Sequence, residues 1–235
     1  MKDWCYILHQ RPYREHSVLA TLLTASDGVC PAVAHGVRAP KPTMRLVEFN
    51  RFSCELRGNN DLKTLAELEP VEPLLMLQGL PLYLGMYLNE LCTVLLPPGL
   101  AMPRLFLGYF DALQVMSQHE VSWLELERAL RLFEHQLLQH CSHEQFYAIE
   151  VDRGEPVTRD GFYQLSGEEG FVRATVGYRG ASLLALHEDR LDDEQERQIA
   201  RLVFRQWLQA RLPGRVWKSR EMLQQLWPML RGTQS

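Results

Sequence analysis

A period of two opens the chain. Trp4, Tyr6 and Leu8 alternate with Cys5, Ile7 and His9, the spacing of a β-strand. Val18–Thr24 is a β-branched and leucine run. It is followed by Asp27-Gly28, a hairpin signal, and by a further run, Val29–His35. Alternation returns over Leu46–Leu56, with Leu46, Glu48, Asn50, Phe52, Cys54 and Leu56 on one side. After the turn cluster Gly58-Asn59-Asn60-Asp61, Leu62–Val71 is a fifth strand. Five short strands with no helix between them predict a small barrel.

The period changes at Pro70–Pro73. Leu84, Leu88, Leu91 and Leu95 fall three and four apart within Pro81–Leu96, which predicts a helix stopped by Pro97-Pro98-Gly99. A second helix is predicted over Pro103–Gln118, with proline in its first turn. A third is predicted from Ser122-Trp123-Leu124-Glu125, a capping-box spacing, to about His140. Residues 144–180 are punctuated by glycine and read as an irregular insert with a hairpin, Gly161–Leu165 and Phe171–Ala174 across Ser166-Gly167-Glu168-Glu169-Gly170. Ala181–His187 is a short helix. A long one opens at Asp192-Asp193-Glu194, where acidic residues complement the macrodipole, and runs to about Arg211; Pro213-Gly214 breaks it before a last helix, Ser219–Leu230. The expected class is α+β: a five-stranded barrel of the OB-fold kind over residues 1–72, then a mainly helical domain over 73–235 with the insert at about 144–180.

Composition narrows the functional classes. A formal net charge of −4 argues against a protein that coats nucleic acid over its whole surface, and leaves room for a local basic face. Five scattered cysteines with no Cys-x-x-Cys pair point away from a disulfide framework and towards a reducing cytosol. No signal peptide is evident. The most apolar stretch, Leu80–Leu96, contains Asn89 and Glu90 and is shorter than the ~20 residues of a membrane span, so no membrane role is expected.

Motifs for nucleotide binding, serine hydrolysis and zinc proteolysis are absent. His119-Glu120 and His143-Glu144 begin a His-Glu-x-x-His pattern and fail at the second histidine. His135, His140, Cys141 and His143 form the best metal candidate, but they lack the paired spacing of structural zinc sites and read as a polar helix end. Glu188, Asp189, Asp192, Asp193, Glu194 and Glu196 read as a solvated face with a helix cap rather than an acid/base or divalent-metal cluster. Glu67, Glu69 and Glu72 read as an exposed strand face. No enzyme activity, metal or cofactor is expected.

Positive charge concentrates in one place. Residues 29–57 carry Arg38, Lys41, Arg45, Arg51 and Arg57 against Glu48 and Glu55. Three of these bases lie in the loop 35–45, which Pro40 and Pro42 stiffen. With Lys63 nearby, and Phe49 and Phe52 interleaved for base stacking, the pattern suits a single-stranded nucleic acid. Wet-loop charge and barrel-core aromatics explain it equally well at this level. Arg211, Arg215, Lys218 and Arg220, with Trp217 among them, form a second cluster, either a phosphate contact or the usual helix C-terminal charge.

Several short segments, in order along nearly the whole chain, resemble the bacterial RecO family of recombination mediators. They are His9-Gln10-Arg11-Pro12-Tyr13, Ala34-His35-Gly36-Val37-Arg38, Lys63-Thr64-Leu65, Leu82-Tyr83, Tyr87-Leu88-Asn89-Glu90-Leu91, Ala129-Leu130-Arg131-Leu132-Phe133-Glu134, and Lys218-Ser219-Arg220-Glu221 followed by Pro228. The resemblance implies an N-terminal OB-fold, binding of single- and double-stranded DNA, strand annealing, and help in loading RecA onto DNA coated by the single-stranded-DNA-binding protein (SSB). It implies RecR as a partner, RecF in the same pathway, and a cytoplasmic, nucleoid-associated location during repair. The expected DNA contacts are Arg11, Arg38, Lys41, Arg45, Arg51, Lys63, Lys218 and Arg220. Arg131, beside Leu130 and Phe133, falls where similar proteins meet the acidic SSB tail. Some members carry four zinc-binding cysteines in the insert; here Cys141 stands alone, so no zinc is carried over. A lysine is common where this chain has His35, which implies weaker or more pH-dependent DNA binding. The alternative of another class is an adaptor whose barrel binds an acidic protein. A Mg²⁺-dependent nuclease on the acidic cluster is a third.

Overall fold

The first five strands close on themselves. β1 (Lys2–Tyr13) pairs with β2 (Ser17–Thr24) and β2 with β3 (Gly28–Ala34). β4 (Arg51–Arg57) and β5 (Lys63–Pro70) form an antiparallel pair. β4 joins β1, and β5 runs parallel to β3 from Ala32↔Lys63 to Ala34↔Leu65. The order β1-β2-β3-β5-β4 is therefore a closed barrel with helices after it, the expected α+β architecture. The computed structural model describes residues 2–231 apart from 43, 59 and 75, with side chains followed to residue 225. Thr43 of the basic loop, Asn59 of the turn cluster and the side chain of Pro228 lie outside the described residues.

Alternation explains the barrel interior. Cys5 and Ile7, Ala20 and Leu22, Ala32 and Ala34, Phe52 and Cys54, and Leu65 all point into one core. Tyr6, on the opposite side of β1, is also buried, because α2 (Pro103–Met116) covers it. The Tyr6 ring lies 5.4 Å from Phe106 and 4.8 Å from Tyr109, edge-on to the latter. A hydrogen bond with Cys54 that favours the protonated thiol, together with burial, pushes the Cys5 thiol well above its usual range, so this cysteine behaves as a small apolar core residue. Gly28 opens β3 with φ +61°. A Cβ there would lie 1.9 Å from the Leu100 carbonyl oxygen, so the hairpin glycine also admits the chain leaving α1.

The fourth strand is shorter than the alternation predicts. It begins at Arg51 rather than Leu46, because Phe49 adopts φ +65° and turns the chain. Its ring is held against Gly85 of α1 (Gly79–Leu95), where an added Cβ would sit 2.9 Å from a ring carbon.

The chain forms two compact units: residues up to Val121 with those from Trp217 onward, and Ser122–Val216. The change of period at residue 73 marks where strands give way to helices, while the compact units divide at 121/122 and 216/217. The first unit contains the barrel, α1, α2 and α6 (Lys218–Arg231). α6 is tied to α1 by Glu90, whose carboxylate accepts from the backbone N–H of Lys218 at 3.0 Å, and from the N–H and hydroxyl of Ser219 at 2.9 and 2.6 Å. A carboxylate on the first N–H groups of a helix is both cap and dipole partner. Glu90→Ala is expected to cost about 2 kcal/mol, read by urea denaturation, with α6 exchanging amide hydrogens before the barrel.

The second unit is built on α3 (Trp123–Cys141), a three-stranded sheet in the order β7-β6-β8, and α4 (Gly180–His187) and α5 (Glu194–Arg211). The predicted capping box is present: Ser122 Oγ accepts from Glu125 N–H and Ser122 N–H donates to Glu125. The Ser122 hydroxyl and then its N–H, both donating to the Glu125 carboxylate at 2.6 and 2.8 Å, hold that carboxyl below its usual range. β6 (Phe162–Ser166) and β7 (Gly170–Ala174) are the expected hairpin, and β8 (Tyr178–Arg179) adds an edge. The glycine-rich insert has an aromatic core: Phe146 lies 5.0 Å from Tyr147 and 5.5 Å from Phe171, with Tyr163, Phe204 and Trp207 also fully buried. Among the described residues, no helix is long and apolar enough to cross a membrane.

Candidate nucleic-acid interface

Two segments meet at one end of the barrel. The β1–β2 turn and the loop leaving β3 face each other because Val18 pairs with Ala34. Arg38 N–H donates to the His16 carbonyl at 3.2 Å, and its guanidinium reaches the Arg14 carbonyl at 3.4 Å. The imidazole Nδ1 of His35 lies 3.0 Å from Ser17 Oγ. The far end of the loop is held by Gln10, whose amide donates to the Leu46 carbonyl at 3.4 Å, bringing the segment that carries Arg45 to the strand that carries Arg11. Anchored at both ends, the loop displays Arg38, Lys41 and Arg45, all exposed, beside exposed Arg11 and Arg14. Arg11, Arg14, Lys41 and Arg45 have no carboxylate at ion-pair distance among the described residues.

The barrel as a whole is not basic. Residues 1–72 carry nine basic and nine acidic side chains, so the patch is local. Glu67 and Glu69 on β5 hold Lys2 and Glu55 holds Arg57, away from the loop, whereas Glu15 stands in the β1–β2 turn itself, 3.9 Å from His16. Arg14 belongs to the patch and was not singled out from the sequence. It sits in the β1–β2 turn with φ +53°, its guanidinium over the Tyr13 ring. The hairpin pairing of the first two runs is the signal that places it beside the β3 exit.

The other expected DNA contacts are engaged within the first unit. Arg51 is ion-paired to Glu72 and lies 4.6 Å from the Phe110 ring and 5.6 Å from that of Trp4. Lys63 donates to the Gly58 carbonyl at 3.0 Å. Arg220 donates to Tyr87 Oη at 2.6 Å and stacks on Tyr87 and Trp217. Lys218 lends its backbone to Glu90 and keeps its side chain exposed. The proposed stacking aromatics are core: Phe49 is 9% and Phe52 2% exposed. Trp4, beside Arg51, is an exposed ring next to a cation in this unit.

In the second unit, Arg131 is only 8% exposed and is ion-paired to Glu134, itself 2% exposed; Leu130 and Phe133 are buried beside them. A tail contact was expected at this trio from the family resemblance and from the chemistry of an arginine beside apolar side chains; in this arrangement all three side chains are buried. The acidic run is also spoken for in part: Asp193 caps α5, Asp192 pairs with Arg128, and Asp189 lies 3.0 Å from His135 Nε2. His143 lies 2.8 Å from the Glu169 carbonyl. Among the described residues no three His, Cys, Asp or Glu side chains gather as metal ligands.

The comparisons with known proteins agree over nearly the full length. A family profile described as "Recombination protein O N terminal" matches residues 1–74. A protein of Vibrio cholerae serotype O1 is 33% identical over 227 residues, covering 94% of this chain and 92% of the relative. One of Tolumonas auensis is 34% identical over 223 residues, covering 92% of each. One of Stutzerimonas stutzeri is 35% identical over 232 residues, covering 96% and 94%. Each of the three is named DNA repair protein RecO.

Proposed function

The chain belongs to the RecO family of DNA repair proteins, and on that premise we propose that its barrel binds single- and double-stranded DNA through Arg11, Arg14, Arg38, Lys41 and Arg45. The observation that carries this reading is the anchored loop that collects these cations at one barrel end, clear of the acids on β4 and β5. Guanidinium and ammonium groups there neutralise phosphates and release counterions. With two strands held and their mutual repulsion screened, complementary sequences anneal without chemistry at the protein. The protein acts as a non-enzymatic mediator in the cytoplasm: it engages DNA already coated by SSB, recognises the acidic SSB tail, and with RecR helps RecA to load.

Annealing of complementary strands coated with SSB tests this directly. The protein is expected to speed annealing of coated strands, and excess free tail peptide to slow it while annealing of naked strands continues. If naked strands are not annealed at low salt, the DNA-binding reading fails. The barrel would then be an adaptor for an acidic protein, whose salt-sensitive binding resembles that of DNA.

A further inference from the structure

Two glutamines and a tyrosine line one groove between α5 and the small sheet of the second unit. Tyr178 of β8 donates its hydroxyl to Gln206 Oε1 of α5 at 2.9 Å, and Gln164 of β6 donates to the Val176 carbonyl at 3.1 Å. One bond each leaves both amides partly unspent. The Gln206 N–H groups and the Gln164 Oε1 have no partner among the described residues. Water satisfies an exposed amide anywhere on a surface, so the enclosure around this donor and this acceptor is what matters.

The groove measures about 550 Å³, within the ~300–1,000 Å³ of small-molecule sites. Gln206 and Ala210 form its wall on α5, and Gln164, Leu165 and Tyr178 its wall on the sheet, while Gly167 and Gly177 bring bare backbone to it. Gly177 has φ +146°, and a Cβ there would lie 2.2 Å from the Tyr163 carbonyl oxygen, so this part of the wall is open to glycine alone. The Tyr178 ring is braced edge-on against buried Phe171 at 5.9 Å. Burial pushes its hydroxyl above the usual range, which keeps it a neutral donor to Gln206. Two bridges mark off the length of the groove: Tyr178–Gln206, and Arg211–Glu168 at 2.6 Å, one residue beyond Ala210 and Gly167. On the helix they stand five residues apart, ~7.5 Å. No charged side chain lines the space.

We propose that this groove binds one nucleobase, carried by an unpaired strand or by a free nucleoside. Tyr178 supplies an aromatic surface for stacking. The Gln206 N–H groups and the Gln164 Oε1 supply a donor and an acceptor for the base edge, the chemistry by which amide side chains read bases. An uncharged lining suits a neutral ring and gives nothing to a phosphate or a carboxylate. An extended peptide would have to cross both bridges, whereas a single flat ring lies between them. Duplex DNA is excluded, because its base faces are stacked and its pairing edges are taken. The strand case rests on the reading that the barrel binds DNA, and it adds a contact that only unpaired DNA makes.

The test uses the full chain with three ligands: a short single-stranded oligonucleotide carrying 2-aminopurine, a duplex of the same length, and adenosine followed by saturation-transfer NMR. Ala210→Trp fills the groove from an exposed position on α5 and should melt as the parent does; Gln206→Ala removes the donor. Ala210→Trp is expected to weaken single-strand binding about tenfold, the scale of one lost base stack, and to abolish both 2-aminopurine quenching and adenosine transfer. Duplex affinity and the salt slope of single-strand binding should stay unchanged, since no phosphate contact is lost. Gln206→Ala should act in the same sense. Adenosine binding that the variant loses while single-strand affinity is unchanged supports the groove as a site for free nucleosides; single-strand affinity lost where the parent binds no adenosine supports it as a site for a strand. If Ala210→Trp alters neither, the proposal is overturned. Equal loss of duplex and single-strand binding also overturns it and makes this face a backbone contact. Failure of the parent to bind any oligonucleotide bears on the barrel reading, and the adenosine arm then decides the groove by itself.

Discussion

Arg131→Ala is expected to destabilise the second unit by about 3–5 kcal/mol, because it breaks a buried ion pair and removes a guanidinium packed in the core. Glu134 is 2% exposed and sits among Leu130, Phe133, Leu137 and Leu138 of the same helix. It is ion-paired to Arg131. At roughly 2–4 °C per kcal/mol for a chain of this size, the melting temperature falls by on the order of 10 °C, read by calorimetry or circular dichroism. Replacing both partners, Arg131→Met with Glu134→Leu, should recover most of the loss, since an apolar pair of similar volume avoids the desolvation cost. A variant with Arg131 alone removed that melts as the parent does but no longer binds an acidic tail peptide would support Arg131 as a tail contact. The stability measurement therefore has to precede any binding measurement on this residue: an unfolded second unit loses every partner at once.

What was legible in the sequence was what is decided locally. The β-strand alternation of Trp4–His9 and the Ser122–Glu125 capping box involve residues at most six apart, and both appear as expected. The start of β4 was not legible, because Phe49 leaves the strand conformation to pack on Gly85, thirty-six positions away. The burial of Arg131 was not legible for a related reason. An Arg–Glu pair at i,i+3 reads the same on a solvated face as inside a core, and only tertiary packing separates the two. The glycines of residues 144–180 suggested irregularity and concealed the aromatic core of Phe146, Tyr147, Tyr163 and Phe171.

The segments that carried the family resemblance divide in the same way. Tyr87–Leu91 and Lys218–Glu221 are far apart in sequence, yet Glu90 caps the helix that Lys218 and Ser219 begin, and Tyr87 receives Arg220. Their shared pattern is explained by the joining of α1 to α6. By contrast, His9–Tyr13 and Ala34–Arg38 both lead to the barrel end that displays the exposed cations: Tyr13 pairs with Ser17, which lies 3.0 Å from His35, and Gln10 holds the far end of the loop at Leu46. The first pair of segments speaks for the fold and the second for the interface.

That division sets the expectation for Arg38→Ala/Lys41→Ala/Arg45→Ala. All three side chains are exposed, so the barrel should melt unchanged, while binding to duplex DNA falls steeply. With ~5 phosphates neutralised by the parent, the log–log slope of affinity against salt is about −4.5; losing three contacts brings it to about −1.8. At 0.1 M salt the missing counterion release corresponds to roughly 10²–10³-fold in affinity. Arg51→Ala should behave in the opposite sense, costing stability through the Glu72 ion pair and the Phe110 stack while leaving the salt slope where it was. Lys218→Ala should change neither by much. Should the triple variant keep the parent slope, the phosphates are held elsewhere. Should Arg51→Ala flatten it instead, the engaged cations opened to the ligand and the patch at the loop was incidental. The slope, and not the affinity alone, separates these outcomes, since it counts phosphates and is blind to lost folding in the fraction of molecules that no longer bind.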